Sequence, residues 1–319
     1  MKYNRLGRSG VKVSELSFGS WVTFHNQLNI KDVMETMSIA YDKGVNFFDN
    51  AEVYANGKSE EVMGEALKKL AWPRVKYLVS TKFYWGISEG PNEKNTLNRK
   101  YLLQAMENSL RRFQLDYIDL IYCHRPDPHT PLEETVWAMH DLIHRGHALY
   151  WGTSEWSADE IRAAYMIAEK HHLHKPIVEQ PQYNLFHRHR VEIEYQRLYE
   201  DLGIGLTTWS PLASGLLSGK YLKQIPENTR AQMKSMTWLR EDINNENKRN
   251  QIQSFCDLAT ELNVSPSQLA ITWCMRNNNV STVILGASNQ QQLNENLKSL
   301  DHKDLLTTEI LERIDKLFA

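Results

Sequence analysis

The sequence has few cysteines and no long apolar run. Its three cysteines, Cys123, Cys256 and Cys274, lie far apart and form no C-x-x-C pair, which argues against both a disulfide framework and a cysteine zinc site. No apolar run approaches the roughly 18 residues of a membrane span, and no charged and then apolar leader follows Met1. We therefore expect a cytoplasmic protein without membrane insertion.

An excess of charge of one sign is also absent. The chain carries 37 lysines and arginines against 39 aspartates and glutamates, a formal net charge of −2. So small a charge does not favour nucleic acid or an anionic membrane as the main partner, and we expect a small-molecule substrate. Neither a linker nor a domain-sized repeat divides the chain, so residues 1–319 are predicted to form one domain.

Short apolar runs that are typical of β-strands recur along the chain and alternate with segments of helical period. The eight runs are residues 16–18, 46–48, 77–79, 118–122, 148–151, 177–178, 205–209 and 282–285. One intervening helical stripe comprises Leu103, Met106, Leu110 and Phe113. The alternation predicts an α/β protein, a closed (β/α)8 TIM barrel rather than an open sheet.

Two segments interrupt this alternation. Residues 3–13, with Gly7 and Ser9-Gly10 at the turn, predict an N-terminal β-hairpin that closes the bottom of the barrel. Residues 214–245, after the seventh strand, are rich in Gly, Pro, Lys and Asn and show no core stripe. They predict a long loop or lid over the barrel mouth.

Four polar residues follow three successive predicted strands. Asp49 and Tyr54 follow one strand, Lys82 ends the next and His124 ends the third. Singly, each has a more ordinary explanation in capping, packing or solvation. Because the carboxyl ends of parallel barrel strands face one bowl, their joint placement predicts a single site.

This set of four side chains suits protonation of a carbonyl oxygen. Tyr54 would be the acid, and Lys82 would stabilise its phenolate. Asp49 would keep Lys82 charged and oriented, and His124 would donate a hydrogen bond to the substrate oxygen. No member supplies an electron pair to the carbonyl carbon, so reduction requires a hydride from a bound cofactor, which points to a nicotinamide.

The segment 44–54, with Gly57-Lys58-Ser59-Glu60 and Gly64 after it, resembles the first signature of the aldo-keto reductases. Matching motifs cover nearly the whole chain; they include residues 80–82, 115–120, 124–127, 152–154, 209–212 and 285–288. Within that family, residues 21–24, 130–135 and 150–154 are similar to the voltage-gated potassium channel β-subunit branch. That branch carries asparagine where this chain has His124, so the resemblance implies an intact tetrad and a working reductase.

The resemblance also implies an NADPH site. Ser154 and Gln180 would bind the nicotinamide carboxamide, and Trp209 would stack on the ring. The pyrophosphate positions are Ser210, Leu212, Ser214 and Lys220; the adenosine positions are Arg230, Gly286, Ser288, Gln292, Glu295 and Asn296; Ser20, Trp21, Gln27 and Asp49 complete the set. Lys220 and Arg230 suit a 2′-phosphate, and no G-x-G-x-x-G follows a strand, which favours NADPH on a barrel over NADH on a Rossmann sheet.

One position departs from the channel branch. Glu155 follows Ser154 where that branch has an arginine. The exchange replaces a cation near the cofactor with an anion, so we expect altered cofactor affinity or release.

Three functions stay open at this point: an NADP-dependent reductase of aldehydes and ketones, a redox-sensing NADPH-binding subunit that modulates a potassium channel or another partner, and a Schiff-base aldolase that uses Lys82. The channel branch assembles as tetramers, which suggests a homotetramer. The histidines at 171–174 and 187–189 lack a carboxylate or cysteine at ligand spacing, so we expect no metal site. Trp21, Trp85 and Trp156 follow predicted strands, and the first two are favoured as walls of an apolar substrate pocket.

Overall fold

Eight parallel strands close into a barrel in the computed structural model, which describes residues 1–21, 29–226, 229–232 and 236–318. The barrel strands are β3 (Leu16–Gly19), β4 (Phe47–Asp49), β5 (Leu78–Phe83), β6 (Ile118–Cys123), β7 (Ala148–Thr153), β8 (Val178–Glu179), β9 (Gly205–Thr208) and β10 (Val280–Leu285). Each strand pairs in parallel with the next, and β10 returns to β3. The sheet therefore has no free edge, and the predicted (β/α)8 barrel is confirmed.

An antiparallel hairpin precedes the barrel, as predicted. Its strands are β1 (Tyr3–Arg5) and β2 (Lys12–Ser14). The Nδ2 of Asn4 donates to the backbone oxygen of Ser281 at 3.0 Å, which connects the hairpin to the start of β10. Gly7 permits a second close approach, to the turn that precedes β9, since a Cβ there would lie 2.3 Å from the backbone oxygen of Gly203.

Helices surround the barrel, and their buried apolar residues belong to the larger core outside the strands. They are α1 (Ile30–Asp42), α2 (Lys58–Leu70), α3 (Arg99–Phe113), α4 (Leu132–His144), α5 (Ala158–Lys170), α6 (Thr237–Asn244), α7 (Glu246–Glu261), α8 (Pro266–Met275), α9 (Gln290–Leu297) and α10 (Thr308–Leu317). In α3 the predicted stripe residues Met106 and Phe113 are fully buried. No helix of the described residues is long and apolar enough to cross a membrane.

The segment between β9 and α7 differs in part from the prediction of a loop without core residues. It contains the short helix α6, because Leu239 and Ile243 lie one turn apart and are both buried. The turn Ala213–Ser218 is buried as well, apart from its last residue. The prediction missed this helix because its apolar stripe has only two residues and the segment is rich in Gly, Pro and Asn.

The alternation of side chains along the strands decides which residues reach the barrel interior. Phe47, Leu78, Leu120 and Tyr122 belong to a small apolar cluster with the hairpin residues, whereas their chain neighbours Phe48, Val79 and Ile121 pack in the larger core under the helices. Because successive strand residues face opposite ways, Asp49, Lys82 and His124 follow on the inward face. They reach the carboxyl-terminal mouth of the barrel.

Candidate active site

The inward-facing residues of three adjacent strands bring the predicted polar side chains together at one end of the barrel. Asp49 and Lys82 are the last inward-facing residues of β4 and β5, and His124 directly follows β6. Tyr54 enters from the turn Tyr54–Gly57 after β4, where Ala55, Asn56 and Gly57 all have left-handed backbone with φ of 50°, 52° and 85°. This tight turn folds the tyrosine ring back over the strand ends.

Lys82 is the centre of the constellation and is fully buried. Its Nζ donates to Asp49 Oδ2 at 2.6 Å, to the backbone oxygen of Asn50 at 2.7 Å and to Tyr54 Oη at 3.3 Å. Asp49 Oδ1 accepts from Ser80 Oγ at 2.7 Å. The ammonium thus has a partner for each of its three protons, which is what a charge in a dry environment requires.

The charge states follow from these contacts and from burial. Burial alone would lower the pKa of Lys82, but Asp49 and Tyr54 outweigh it and the pKa is raised, so the side chain is an ammonium. Burial raises the pKa of Tyr54 above its usual value of 10.0, and Lys82 opposes this rise without cancelling it. Tyr54 therefore holds its proton at neutral pH.

His124 completes the group. Its ring lies edge-on to the Tyr54 ring, with 6.0 Å between centroids. Burial, together with the nearby charges of Lys82 and Arg125, lowers the pKa of His124 well below 6.5, so the imidazole is neutral. Its Nδ1 is buried and has no hydrogen-bond partner among the described residues.

A cavity of about 1380 Å³ opens above this group. The predicted residues that line it are Trp21, Asp49, Tyr54, His124, Ser154, Gln180, Trp209, Ser210, Leu212, Ser214, Lys220, Arg230, Gly286, Ser288, Gln292 and Asn296. Lys82 and Ser20 are buried behind the wall. Glu295 is not part of the lining and pairs with Lys298 at 2.6 Å, while Gln27 lies outside the described residues.

The end of the cavity near Tyr54 is held by a chain of hydrogen bonds. Gln180 Nε2 donates to Asp49 Oδ1 at 3.0 Å, and Ser154 Oγ donates to the backbone oxygen of Gln180 at 2.9 Å. The Trp21 ring stands edge-on to Trp209 at 6.3 Å. Of the residues predicted for the nicotinamide, Gln180 thus contacts the carboxylate that holds Lys82 directly, and Ser154 is linked to it through Gln180.

The cavity wall also carries two partly desolvated cations, Lys220 and Arg230, and Arg230 Cζ lies 4.9 Å from the centroid of the Trp21 ring. Burial lowers the pKa of both Lys220 and Arg230, and repulsion by Arg230 lowers that of Lys220 further. No carboxylate lies within ion-pair distance of either among the described residues. Gly215 makes room for the lysine, since a Cβ there would lie 2.6 Å from Lys220 Cε. Two cations that repel each other without a counter-ion fit a phosphate-bearing ligand.

Glu155 lies behind Trp209 rather than in the cavity lining. Its Oε1 accepts from Trp209 Nε1 at 2.9 Å and from the backbone N–H of Gln182 at 2.6 Å. Its Oε2 pairs with Arg190 at 2.8 Å. These contacts offset the strain of its left-handed backbone, φ 60°, which costs a residue with a Cβ about 1–2 kcal/mol.

Some lining residues were not among the predicted site residues. They include Arg125 and Trp238. Trp21 and Trp85, predicted as pocket walls, also line the cavity, whereas Trp156 is buried in the core. Arg125 could have been found from its position, because it directly follows His124 at a strand end. Trp238 lies in α6, within the segment predicted to be a loop, and no sequence pattern pointed to it.

Comparison with known proteins agrees with this geometry. Residues 15–319 match the model of the Aldo/keto reductase family. The chain belongs to the aldo/keto reductase family. Members of the family are oxidoreductases of carbonyl compounds and generally bind nicotinamide cofactors.

Two plant proteins are similar to this aldo/keto reductase over almost its full length. A protein of Oryza sativa subsp. japonica named "Probable voltage-gated potassium channel subunit beta" is 51% identical over 316 residues, covering 99% of this chain and 96% of the relative. A protein of the same name from Arabidopsis thaliana is 50% identical over 317 residues, with the same coverage. The predicted resemblance to the family and to its potassium-channel-β-like members is confirmed.

Proposed function

We propose that this aldo/keto reductase reduces aldehydes and ketones to alcohols, with NADPH as the hydride source and Tyr54 as the general acid. The observation that carries the proposal is the contact of Tyr54 Oη with the Lys82 ammonium at 3.3 Å, on a lysine held by Asp49 at 2.6 Å. A bound dihydronicotinamide supplies a hydride to the carbonyl carbon. The chain's own side chains supply the proton and the polar environment.

Proton transfer is the task of Tyr54. Its raised pKa keeps it protonated at neutral pH, so a proton is available when the carbonyl oxygen gains negative charge. After transfer, the tyrosinate oxygen faces the Lys82 ammonium, which compensates the new charge in a dry site. Asp49 keeps the lysine in place through this exchange.

Orientation of the substrate is the task of His124. As a neutral imidazole it carries one N–H, and donation of that hydrogen bond to the carbonyl oxygen aims the oxygen at Tyr54. Trp21 and Trp85 would form apolar walls on either side, because both line the cavity and both lie near this group. The pocket suits small carbonyl compounds, aromatic ones included.

Preference for NADPH rests on the two cations Lys220 and Arg230. Lys220 and Arg230 would bind the 2′-phosphate and pyrophosphate, whose charge relieves the repulsion between them. Ser154 and Gln180 would bind the carboxamide, and Trp209 would support the ring. Ser288, which precedes the amino-terminal end of α9, would contribute near the ribose phosphate.

Turnover tests this function directly. NADPH absorbance is followed with a panel of aldehydes, ketones and α-dicarbonyls, with NADH in parallel. We expect oxidation that depends on the carbonyl compound and is faster with NADPH. Absence of turnover with every compound, by a chain that binds NADPH, would overturn the reductase assignment.

The names of the two plant relatives favour a second function, a redox-sensing NADPH-binding subunit of a potassium channel. Under this alternative the bound dinucleotide alters a partner protein and turnover is incidental. Co-purification with the cytoplasmic domain of a potassium channel, together with negligible turnover across the panel, would favour it over the reductase. A cytoplasmic location and a homotetramer accompany both proposals, and light scattering tests the subunit number.

The Schiff-base alternative is not favoured. Lys82 is an ammonium held by Asp49 and is buried behind the cavity wall, whereas an aldolase needs a neutral amine that reaches the substrate. Borohydride in the presence of substrate should therefore leave Lys82 unmodified.

A further inference from the structure

Among the described residues that line the cavity, one cation has no ion-pair partner and no role in the function proposed above. Asp49 is paired with Lys82, and Asp242 is paired with Lys248. Lys220 and Arg230 are assigned above to phosphate. Arg125 remains, and it lies at the end that holds Tyr54 and His124.

Arg125 uses only part of its hydrogen-bonding capacity within the protein. Its Nη1 donates to the backbone oxygen of His124 and lies 3.5 Å from Ser154 Oγ. Its Nε and Nη2 have no acceptor among the described residues, and no carboxylate lies within ion-pair distance there. A half-buried guanidinium with a free edge can accept an anion through two parallel N–H groups.

The surroundings hold this guanidinium in one orientation. Its Cζ lies 5.7 Å from the centroid of the Trp85 ring, within the range of a cation–π contact. The same Trp85 ring stands edge-on to His124 at 6.4 Å. The guanidinium, the indole and the imidazole therefore border one space.

The same space is close to the reacting groups. The charge of Arg125 contributes to the lowered pKa of His124 and partly opposes the rise in the pKa of Tyr54. Because the guanidinium and the imidazole both border the Trp85 ring, an anion bound at the free edge of Arg125 would lie beside, and not on, the oxygen that Tyr54 protonates. A short or planar spacer along Trp85 would connect the two ends of such a substrate.

We propose that Arg125 is a carboxylate subsite and that the preferred substrates are aldehydes or ketones that also carry a carboxylate. This inference rests on the proposed reductase function. The carboxylate accepts hydrogen bonds from Nε and Nη2 of Arg125, while the carbonyl group faces Tyr54 and His124. The carboxylate takes no part in the reaction: hydride and proton add across the carbonyl group, and the product is a hydroxy acid.

Two substrates of nearly the same shape isolate this contact. 4-Formylbenzoate carries the carboxylate, and its methyl ester removes the charge while keeping the ring and the aldehyde. Wild type should favour the carboxylate by at least about tenfold in kcat/KM, mainly through KM, since a charge-assisted bidentate pair is worth more than 1.4 kcal/mol. Arg125→Met should abolish that preference, and Arg125→Lys should keep part of it.

A merely structural role for Arg125 gives a different result. If the side chain only braces His124 and Ser154, Arg125→Met lowers activity on both substrates by the same factor and the ratio stays unchanged. That result, or a wild type without preference for the carboxylate, would overturn the subsite.

A binding measurement separates this proposal from the reductase function. Calorimetry with benzoate and with benzamide requires no turnover. Benzoate binding that is lost in Arg125→Met, in a chain that reduces nothing, would sustain the subsite and overturn the reductase. Reduction of both aldehydes with equal kcat/KM, and no effect of Arg125→Met on benzoate binding, would sustain the reductase and overturn the subsite.

Discussion

The indole Nε1 of Trp209 donates a hydrogen bond to the carboxylate of Glu155 at 2.9 Å, across 54 positions of the chain. Glu155 is in turn fixed by Arg190 at 2.8 Å. An aromatic wall of the cavity is thus held from behind by a charged pair. Glu155 is the position predicted to differ from the channel branch. It contacts Trp209, the side chain that is predicted to stack on the nicotinamide.

Replacement of Glu155 should loosen this wall. Glu155→Ala removes the acceptor for Trp209 and leaves Glu194, at 3.4 Å, as the remaining ion-pair partner of Arg190 among the described residues. We expect the Kd for NADPH, measured by quenching of tryptophan fluorescence, to rise about tenfold, because one or two hydrogen bonds to a charged group are lost. Glu155→Gln can still accept from Trp209 and should have a smaller effect.

The matched control for this prediction is Glu194→Gln. It removes a charge from beside Arg190 without contacting Trp209, and it should leave the Kd unchanged. An unaltered Kd in Glu155→Ala would show that Trp209 needs no support from this carboxylate.

Tyr54→Phe removes the proposed acid and only one oxygen atom. We expect kcat to fall at least about 100-fold, the usual contribution of a general acid. NADPH binding should persist, because the phenyl ring still fills its place beside Trp21. Turnover near the wild-type rate in Tyr54→Phe would refute the role of Tyr54 as the acid.

Loss of either charge of the buried pair should destabilise the fold. Asp49→Asn leaves the fully buried Lys82 without its counter-ion, and an uncompensated buried charge costs about 3–5 kcal/mol. Urea unfolding measures this change in the free energy of unfolding. The exposed pair of Lys69 and Glu65 provides a control, since Glu65→Gln should cost less than about 1 kcal/mol. Equal effects of the two substitutions would contradict the importance of burial.

Arg230→Met should alter the choice of dinucleotide. If this cation binds the 2′-phosphate, the substitution weakens NADPH binding by about tenfold or more and leaves NADH binding nearly unchanged. The ratio of the two Kd values is the measurement. A proportional loss for both dinucleotides would place the contact of Arg230 elsewhere than on the 2′-phosphate.

The buried carboxyl of Glu179 should make stability depend on pH. Burial raises its pKa from 4.5 to about 8. Between these values the folded chain keeps a proton that the unfolded chain releases, so the free energy of unfolding falls as pH rises through this window, by up to about 1.4 kcal/mol per pH unit. The contribution is complete below about pH 4.5 and lost above about pH 8.

Glu179→Gln tests this dependence, because the amide can still accept from Thr153 but does not titrate. Urea midpoints across the window should decline less steeply in the variant than in the wild type. Burial also raises the pKa of Glu52 to about 8, so the stability of the variant should still decline somewhat with pH. An unchanged slope in Glu179→Gln would mean that the carboxyl is ionised in the folded chain.

Several features could be predicted from the sequence alone, because they depend on the local pattern of apolar and polar residues. The strands and helices follow from apolar periodicity, and parallel pairing then brings the ends of β4, β5 and β6 together. That is why Asp49, Lys82 and His124 were predicted to meet. The helix α6 was missed, since a stripe of two buried residues is too short to stand out among polar neighbours.

Composition and periodicity thus determined the barrel, the hairpin and the inward direction of the polar residues at three strand ends. Only the tertiary structure decided the charge states of Tyr54, Lys82 and His124, because a pKa depends on burial and on charges from other elements. It likewise decided that Glu155 supports Trp209 and that Arg125 keeps a free edge beside His124. Loops bring these groups together, and no periodic pattern encodes the path of a loop.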